Sequence, residues 1–198
     1  MTADDETQKR RRRTDAYCRM WALPLPDVPS PVLTADAVSI RTAANVRVHT
    51  LLQCLLGLKG QGLSQREVFA FADAYGLWEA MNVEEHDYVL DDASGRSVDV
   101  QMAWRYERVN VLLWALARVR HLHLPDQVVD PAAMLSAALP ALTDPSIASL
   151  RAKTDLVDAA DLAIRLEALA TAGVGTLNRG VVHERAQAFR WLCPPVCS

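Results

Sequence analysis

The sequence lacks most of the features that would announce a function. No run approaches the roughly 18 uninterrupted apolar residues of a membrane helix, although 51% of the 198 residues are hydrophobic. No segment alternates at period two and no Asn-Gly hairpin occurs, so β-structure is not expected. HExxH, P-loop, GxGxxG and GxSxG patterns are all absent, and no internal repeat is visible. A basic surplus is missing too. Net charge is −3, with nine Lys/Arg against six Asp/Glu in residues 1–60 and 12 against 18 beyond, so a dedicated nucleic-acid binder is not expected. The opening charges are followed by no apolar stretch, so no signal peptide is expected. The four cysteines, Cys18, Cys54, Cys193 and Cys197, are then expected reduced in a cytoplasmic setting. Cys193-Pro-Pro-Val-Cys197 lacks the two-residue spacing and second pair of a zinc clasp. Cys54, inside an apolar run, reads as a small core residue.

What is present is helical pattern around one dominant stretch, Trp104 to Ala117. From Val109 to Ala117 every residue but Asn110 is apolar, and a helix apolar all round is buried on nearly every side. Glu107, Asn110, Val111 and Trp114 share one face of it at i, i+3, i+4 and i+7. A carboxylate and an amide are thereby carried inward beside tryptophans and need partners there. This helix is predicted from Ser97, as cap, to about His121.

The remaining elements follow from start and stop signals. Lys9–Arg13 reads as a solvated, frayed start, with at most a short helix over 11–21. Pro24, Pro26, Pro29 and Pro31 then predict an extended arm. A long helix is predicted over 35–58, ended by Gly57, Gly60 and Gly62. Ser64 with Glu67 forms a capping box opening a helix to Ala74, and Asn82 with Glu85 repeats that logic towards Leu90. Residues 91–96 read as a loop. Asp130-Pro131 starts a helix closed by Pro140, and Asp144-Pro145 starts a short one over 146–151. Two helices follow, over 155–172 and 180–192. The fold expected is all-α, one compact domain of about eight helices over 34–192. An arm over 1–33 precedes it and a tail over 193–198 follows.

Three constellations could carry chemistry. Asp158, Asp161 and Arg165 lie along one helix face, with Asp155 and Arg151 nearby. They could hold Mg²⁺, but a salt-bridged or solvated face is the expectation. His121-Leu122-His123 with Asp126 could pair on a metal only if the backbone were extended, and its expected place is a helix end. His183-Glu184 near Trp191 could shuttle protons beside a cleft. The plainer reading has Glu184 offsetting a helix dipole and Arg185 pairing with a buried acid.

Four blocks in order resemble one family. They are Ile40-Arg41-Thr42 with Arg47, then Trp104-Arg105-Tyr106-Glu107 with Val111–Leu116. Leu150-Arg151 with Leu156, Asp158, Asp161-Leu162 and Arg165-Leu166 follows, and Val181–Arg185 with Trp191-Leu192 closes the set. Together they resemble the bacterial domain-of-unknown-function family four-two-seven-two, over about 29–192. Ala163-Ile164 and Phe189-Arg190 depart from its pattern. The resemblance implies an architecture and a single domain, and brings no activity, cofactor or catalytic residue.

The functional expectation is a non-enzymatic protein–protein interaction module, of which an antidote to a toxin would be one instance. No cofactor or metal is expected, nor a nucleic-acid or membrane partner. Trp104, Glu107, Asn110, Trp114, Arg151, Asp161, Arg165, Glu184, Arg185 and Trp191 are expected to form a buried polar network. The alternative is an enzyme or small-ligand binder whose pocket is lined by Glu107, Asn110, His183 and Glu184.

Overall fold

The computed structural model describes residues 3–25, 38–91, 96–143 and 149–194; the side chains of 3–4, 96–97, 137–138 and 140–141 are outside that description. Among the described residues the helices are α1 (Ala3–Met20), α2 (Ala43–Gly60), α3 (Gln65–Tyr75), α4 (Val83–Leu90), α5 (Arg96–Ala103), α6 (Tyr106–Ala115), α7 (Pro131–Thr143), α8 (Lys153–Thr171) and α9 (Arg179–Leu192), with a 3-10 turn over Trp78–Ala80 and no strand. The all-α expectation holds for them. None of these helices is long and apolar enough to cross a membrane. The chain divides into two compact units: Met1–Arg41, Leu122–Val128 and Arg151–Ser198 form the first, Thr42–His121 and Val129–Leu150 the second.

The first unit corrects the reading of the chain's start. Lys9–Arg13 is no frayed terminus but lies within α1. Arg10, Thr14 and Cys18, spaced by four, are all buried, which is the helical periodicity of a packed face. That face meets α8, and α8 packs on α9. Cys18, Leu23, Leu124, Leu166, Leu169, Ala170 and Val182 form the core. The helix α1 ends in a turn whose Ala22 has φ 51°, with Leu23 N–H donating to the Cys18 carbonyl at 2.8 Å and Ala22 N–H to that of Arg19 at 3.1 Å. Three of the arm's four prolines, Pro26, Pro29 and Pro31, lie outside the described residues, as does Cys197. After α9, Arg41 N–H donates to the Leu192 carbonyl and Ser39 N–H to that of Pro194.

The second unit is built on α2, which packs against α3, α4, α5, α6 and α7. From Thr50 to Gly57 every residue of α2 is buried. It begins at Ala43, later than expected, because the Thr42 side chain accepts from Asn45 N–H as N-cap. Gly60 is no stop signal. A Cβ there would stand 2.7 Å from the Asp99 carbonyl oxygen and 2.8 Å from Ala103 N, so α5 passes too close for a side chain. Both capping boxes form, Ser64 with Glu67 and Asn82 with Glu85.

The expected long helix over 97–121 is three pieces: α5, a turn at Trp104-Arg105, and α6, which ends at Ala115. Ser97, expected as its cap, lies inside α5, and loop residues 92–95 are outside the description. Ala117, at φ 57°, closes α6 with Arg118 N–H on the Leu113 carbonyl at 2.8 Å and Ala117 N–H on that of Trp114 at 2.9 Å. This is a Schellman motif with alanine in the left-handed position. The Asp130 carboxylate accepts from Ala132 N–H at 3.0 Å and opens α7 as expected. The helix runs past Pro140, where a stop was expected, to Thr143; buried Leu142 anchors that last turn. Residues 144–148 are outside the description, and 149–152 are not helical.

Candidate functional site

Ionised side chains lock α1 to α8 in the first unit. Asp158 accepts from Arg10 Nε at 2.8 Å and from Arg13 Nε at 2.6 Å and Nη2 at 2.9 Å. One turn on, Asp161 accepts from the Thr14 hydroxyl at 3.3 Å. Arg165 Nε is 3.0 Å from Asp161, yet that N–H is not aligned for a hydrogen bond. The attraction there is chiefly coulombic, and Arg165 Nη1 donates to Asp15 at 3.3 Å. Burial pushes the Asp161 carboxyl above its ordinary range, against the pull of Arg165, Thr14 and Arg10. The salt-bridged reading of Asp158, Asp161 and Arg165 is therefore the one the geometry carries, and its partner set includes α1.

A second cluster sits on α8 and α9. Glu167 takes both guanidinium prongs of Arg190 and pairs with His183 Nδ1 at 2.9 Å. Burial alone would raise Glu167, but these hydrogen bonds outweigh it and hold the carboxyl below its usual range. Its contribution to stability is therefore present above the ordinary carboxylate range and lost as pH falls through the depressed value. A cleft of about 320 Å³ opens here, lined by Glu167, Ala170, Thr171, Arg179, Gly180 and His183. Of the residues expected to line a pocket, His183 is on this wall; Glu107, Asn110 and Glu184 are not.

In the second unit buried charges meet backbone. Lys59, 7% exposed, donates from Nζ to the carbonyls of Asp91 at 2.6 Å and Val89 at 3.2 Å and to the Gln65 amide oxygen at 2.9 Å. Its ammonium also lies 5.2 Å from the Tyr88 ring centre. It thus caps the C-terminus of α4, where a cation offsets the dipole. Glu107, fully buried, accepts from Val129 N–H at 2.7 Å. Buried Glu85 takes the Gln53 amide at 3.3 Å, and Arg105 donates to the Gln53 carbonyl at 3.4 Å.

The ten residues expected as one network are divided between the units. Trp104, Glu107, Asn110 and Trp114 belong to the second; Arg151, Asp161, Arg165, Glu184, Arg185 and Trp191 belong to the first. Asp161 and Arg165 are brought together. Buried Arg185 donates to the His123 carbonyl at 2.6 Å. Arg41 stacks over Trp191 at 5.5 Å. Asn110 is buried, while Trp104, Trp114, Arg151 and Glu184 are half-buried. His121 and His123 lie in irregular chain beyond α6, not at a helix end, and among the described residues no three His, Cys, Asp or Glu side chains group to hold a metal. Burial pushes the thiols of Cys54 and Cys193 up to about 12, so neither supplies thiolate at neutral pH. Sequence reasoning missed Arg10, Thr14, Lys59, Glu85 and Glu167. The spacing by four through Arg10, Thr14 and Cys18 was a usable signal for the first two; a lysine closing an apolar run was a weaker one for Lys59.

A chain that is all-helical over its described residues, with interlocked charges on α1 and α8, is the class that this geometry defines. The chain belongs to the family Domain of unknown function (DUF4272), which it matches over residues 10–196. No curated protein and no solved structure matches it.

Proposed function

We propose that this chain is a non-enzymatic helical module that works by binding another protein. Its buried charges are engaged by the chain itself, and that observation carries the reading. Asp158 and Asp161 face arginines and a threonine, Lys59 faces carbonyls, and Glu107 faces an amide. Groups held in this way are positioned for folding rather than for proton or group transfer.

A contact surface is available where α1 ends. Met20 is 69% exposed, and Trp21 and Leu25 are each 41% exposed. Tryptophan at such a place is the residue type that dominates binding energies. The occupant is a folded protein with an apolar recess for Trp21, and an antidote acting on a toxin fits this class.

The test is cross-linking in the native cell, followed by reconstitution from purified components. A stoichiometric complex with the intact chain is expected, weakened about tenfold or more by Trp21→Ala at unchanged melting temperature. Equal binding by Trp21→Ala, or no reconstitution, would overturn the reading. The cleft beside His183 supports a second reading, a small-ligand binder, which moves the expected pocket away from Glu107.

A further inference from the structure

The cleft on α8 and α9 carries an inference independent of protein binding. Helix α8 supplies Glu167, Ala170 and Thr171; α9 supplies Arg179, Gly180 and His183, and Gly180 leaves its part of the wall bare. The volume of about 320 Å³ lies at the small end of ligand pockets. The charged groups facing His183 are Glu167 on α8 and Arg190 and Arg179 on α9. Glu167 is engaged by Arg190 and His183, whereas Arg179 is exposed and has no ion-pair partner among the described residues. Glu167, Arg190 and Arg179 sum to one positive charge, which favours an anion. The first N–H groups of α9 are already taken, Gly180 at 3.0 Å and Val181 at 3.3 Å from the Asn178 side-chain oxygen, so recognition rests on side chains.

The His183–Glu167 contact narrows the anion. An ionised carboxylate only accepts, so Nδ1 carries the proton that lies between them. The far nitrogen, Nε2, is then an acceptor in the neutral ring and a donor in the imidazolium. A phosphate monoester has its second ionisation near about 6 and suits both states. As monoanion its P–OH donates to Nε2; as dianion it accepts from Nε2–H. One proton is shared and none is lost. Sulfate, with no such proton, suits the charged ring alone.

We propose that this cleft binds a phosphate monoester group, with Arg179 as its counter-charge and His183 and Thr171 as its hydrogen-bond partners. The full chain, labelled with ¹⁵N, is titrated with inorganic phosphate and separately with sulfate. The amides of Thr171, Arg179, Gly180 and His183 shift with phosphate, with a Kd of about 1 mM or tighter. Sulfate binds about tenfold more weakly. Arg179→Ala weakens phosphate binding about tenfold or more at unchanged melting temperature, because the exposed side chain supports nothing in the fold. His183→Gln removes the preference for phosphate over sulfate. Sedimentation with phosphatidylcholine vesicles containing phosphatidic acid separates the sources: retention assigns a lipid headgroup, no retention a free monoester. Shifts absent or scattered outside the cleft, equal affinity for phosphate and sulfate, or an unaffected Arg179→Ala would overturn the proposal. None of these touches the protein-binding reading, which is tested at Trp21.

Discussion

The α1–α8 seam of the first unit and the Lys59 and Glu107 sites of the second hold ionised side chains in different ways. In the first, charge meets charge: Asp158 with Arg10 and Arg13, Asp161 with Arg165. In the second, charge meets backbone: Lys59 with the carbonyls of Val89 and Asp91, Glu107 with Val129 N–H. The difference decides what happens when a partner is lost. A carboxylate left behind takes up a proton and becomes neutral, whereas a carbonyl or amide left behind has no such escape. Loss of a partner in the first kind is therefore partly offset by protonation, and in the second it is not.

Two substitutions sharpen that contrast. Lys59→Met keeps the stem and removes an ammonium that satisfies two carbonyls and an amide oxygen. We expect urea unfolding to show a loss of about 3–5 kcal/mol, much the same from neutral to mildly acidic pH. Arg165→Met is expected to lose about 2 kcal/mol at neutral pH, and less as pH falls. The Asp161 carboxyl already lies above its ordinary range. A raised folded value means that the folded state takes up the proton first, so stability rises as pH drops towards that range. A loss that grows on acidification would break the comparison.

The smaller effects are gains. Ala117→Gly removes a Cβ from a left-handed position (φ 57°) and should raise stability by about 1 kcal/mol, read as a higher urea midpoint. Tyr106→Phe should raise it by less than about 1 kcal/mol. The Tyr106 hydroxyl is buried with no hydrogen-bond partner among the described residues, and its ring lies where a Gly57 Cβ would be 2.8 Å away. The ring, not the hydroxyl, fills that space. A clear loss in Tyr106→Phe would mean that the hydroxyl has a partner.

The helix ends show what a sequence can and cannot announce. The helices α2, α3 and α8 close in left-handed turns at Gly62, Gly76 and Gly173, where glycine is the expected residue. The helices α1 and α6 close by the same hydrogen bonds at Ala22 and Ala117. Alanine is the strongest helix former, so its presence argued for continuation, and the helix predicted to His121 ran too far. Capping boxes at Ser64 and Asn82 were legible because both partners lie within one turn.

The polar contacts divide by the same logic. Asp161 with Arg165 is an i, i+4 pair and visible in the sequence. Arg10 with Asp158 spans 148 positions and is not. Lys59 and Glu107 are hard to read for a further reason: Lys59 meets two backbone carbonyls beside the Gln65 side chain and Glu107 meets a backbone N–H, and every residue carries such peptide groups. Burial of Glu107 was readable from the apolar residues around it, but its partner was not.

Equilibrium urea unfolding of Glu107→Ala at neutral pH tests most directly whether such charges exist to hold the fold. The side chain is fully buried and accepts from Val129 N–H at 2.7 Å. We expect a loss of about 3 kcal/mol or more. Stability close to that of the native chain would contradict the account and would mark Glu107 as a residue kept for chemistry.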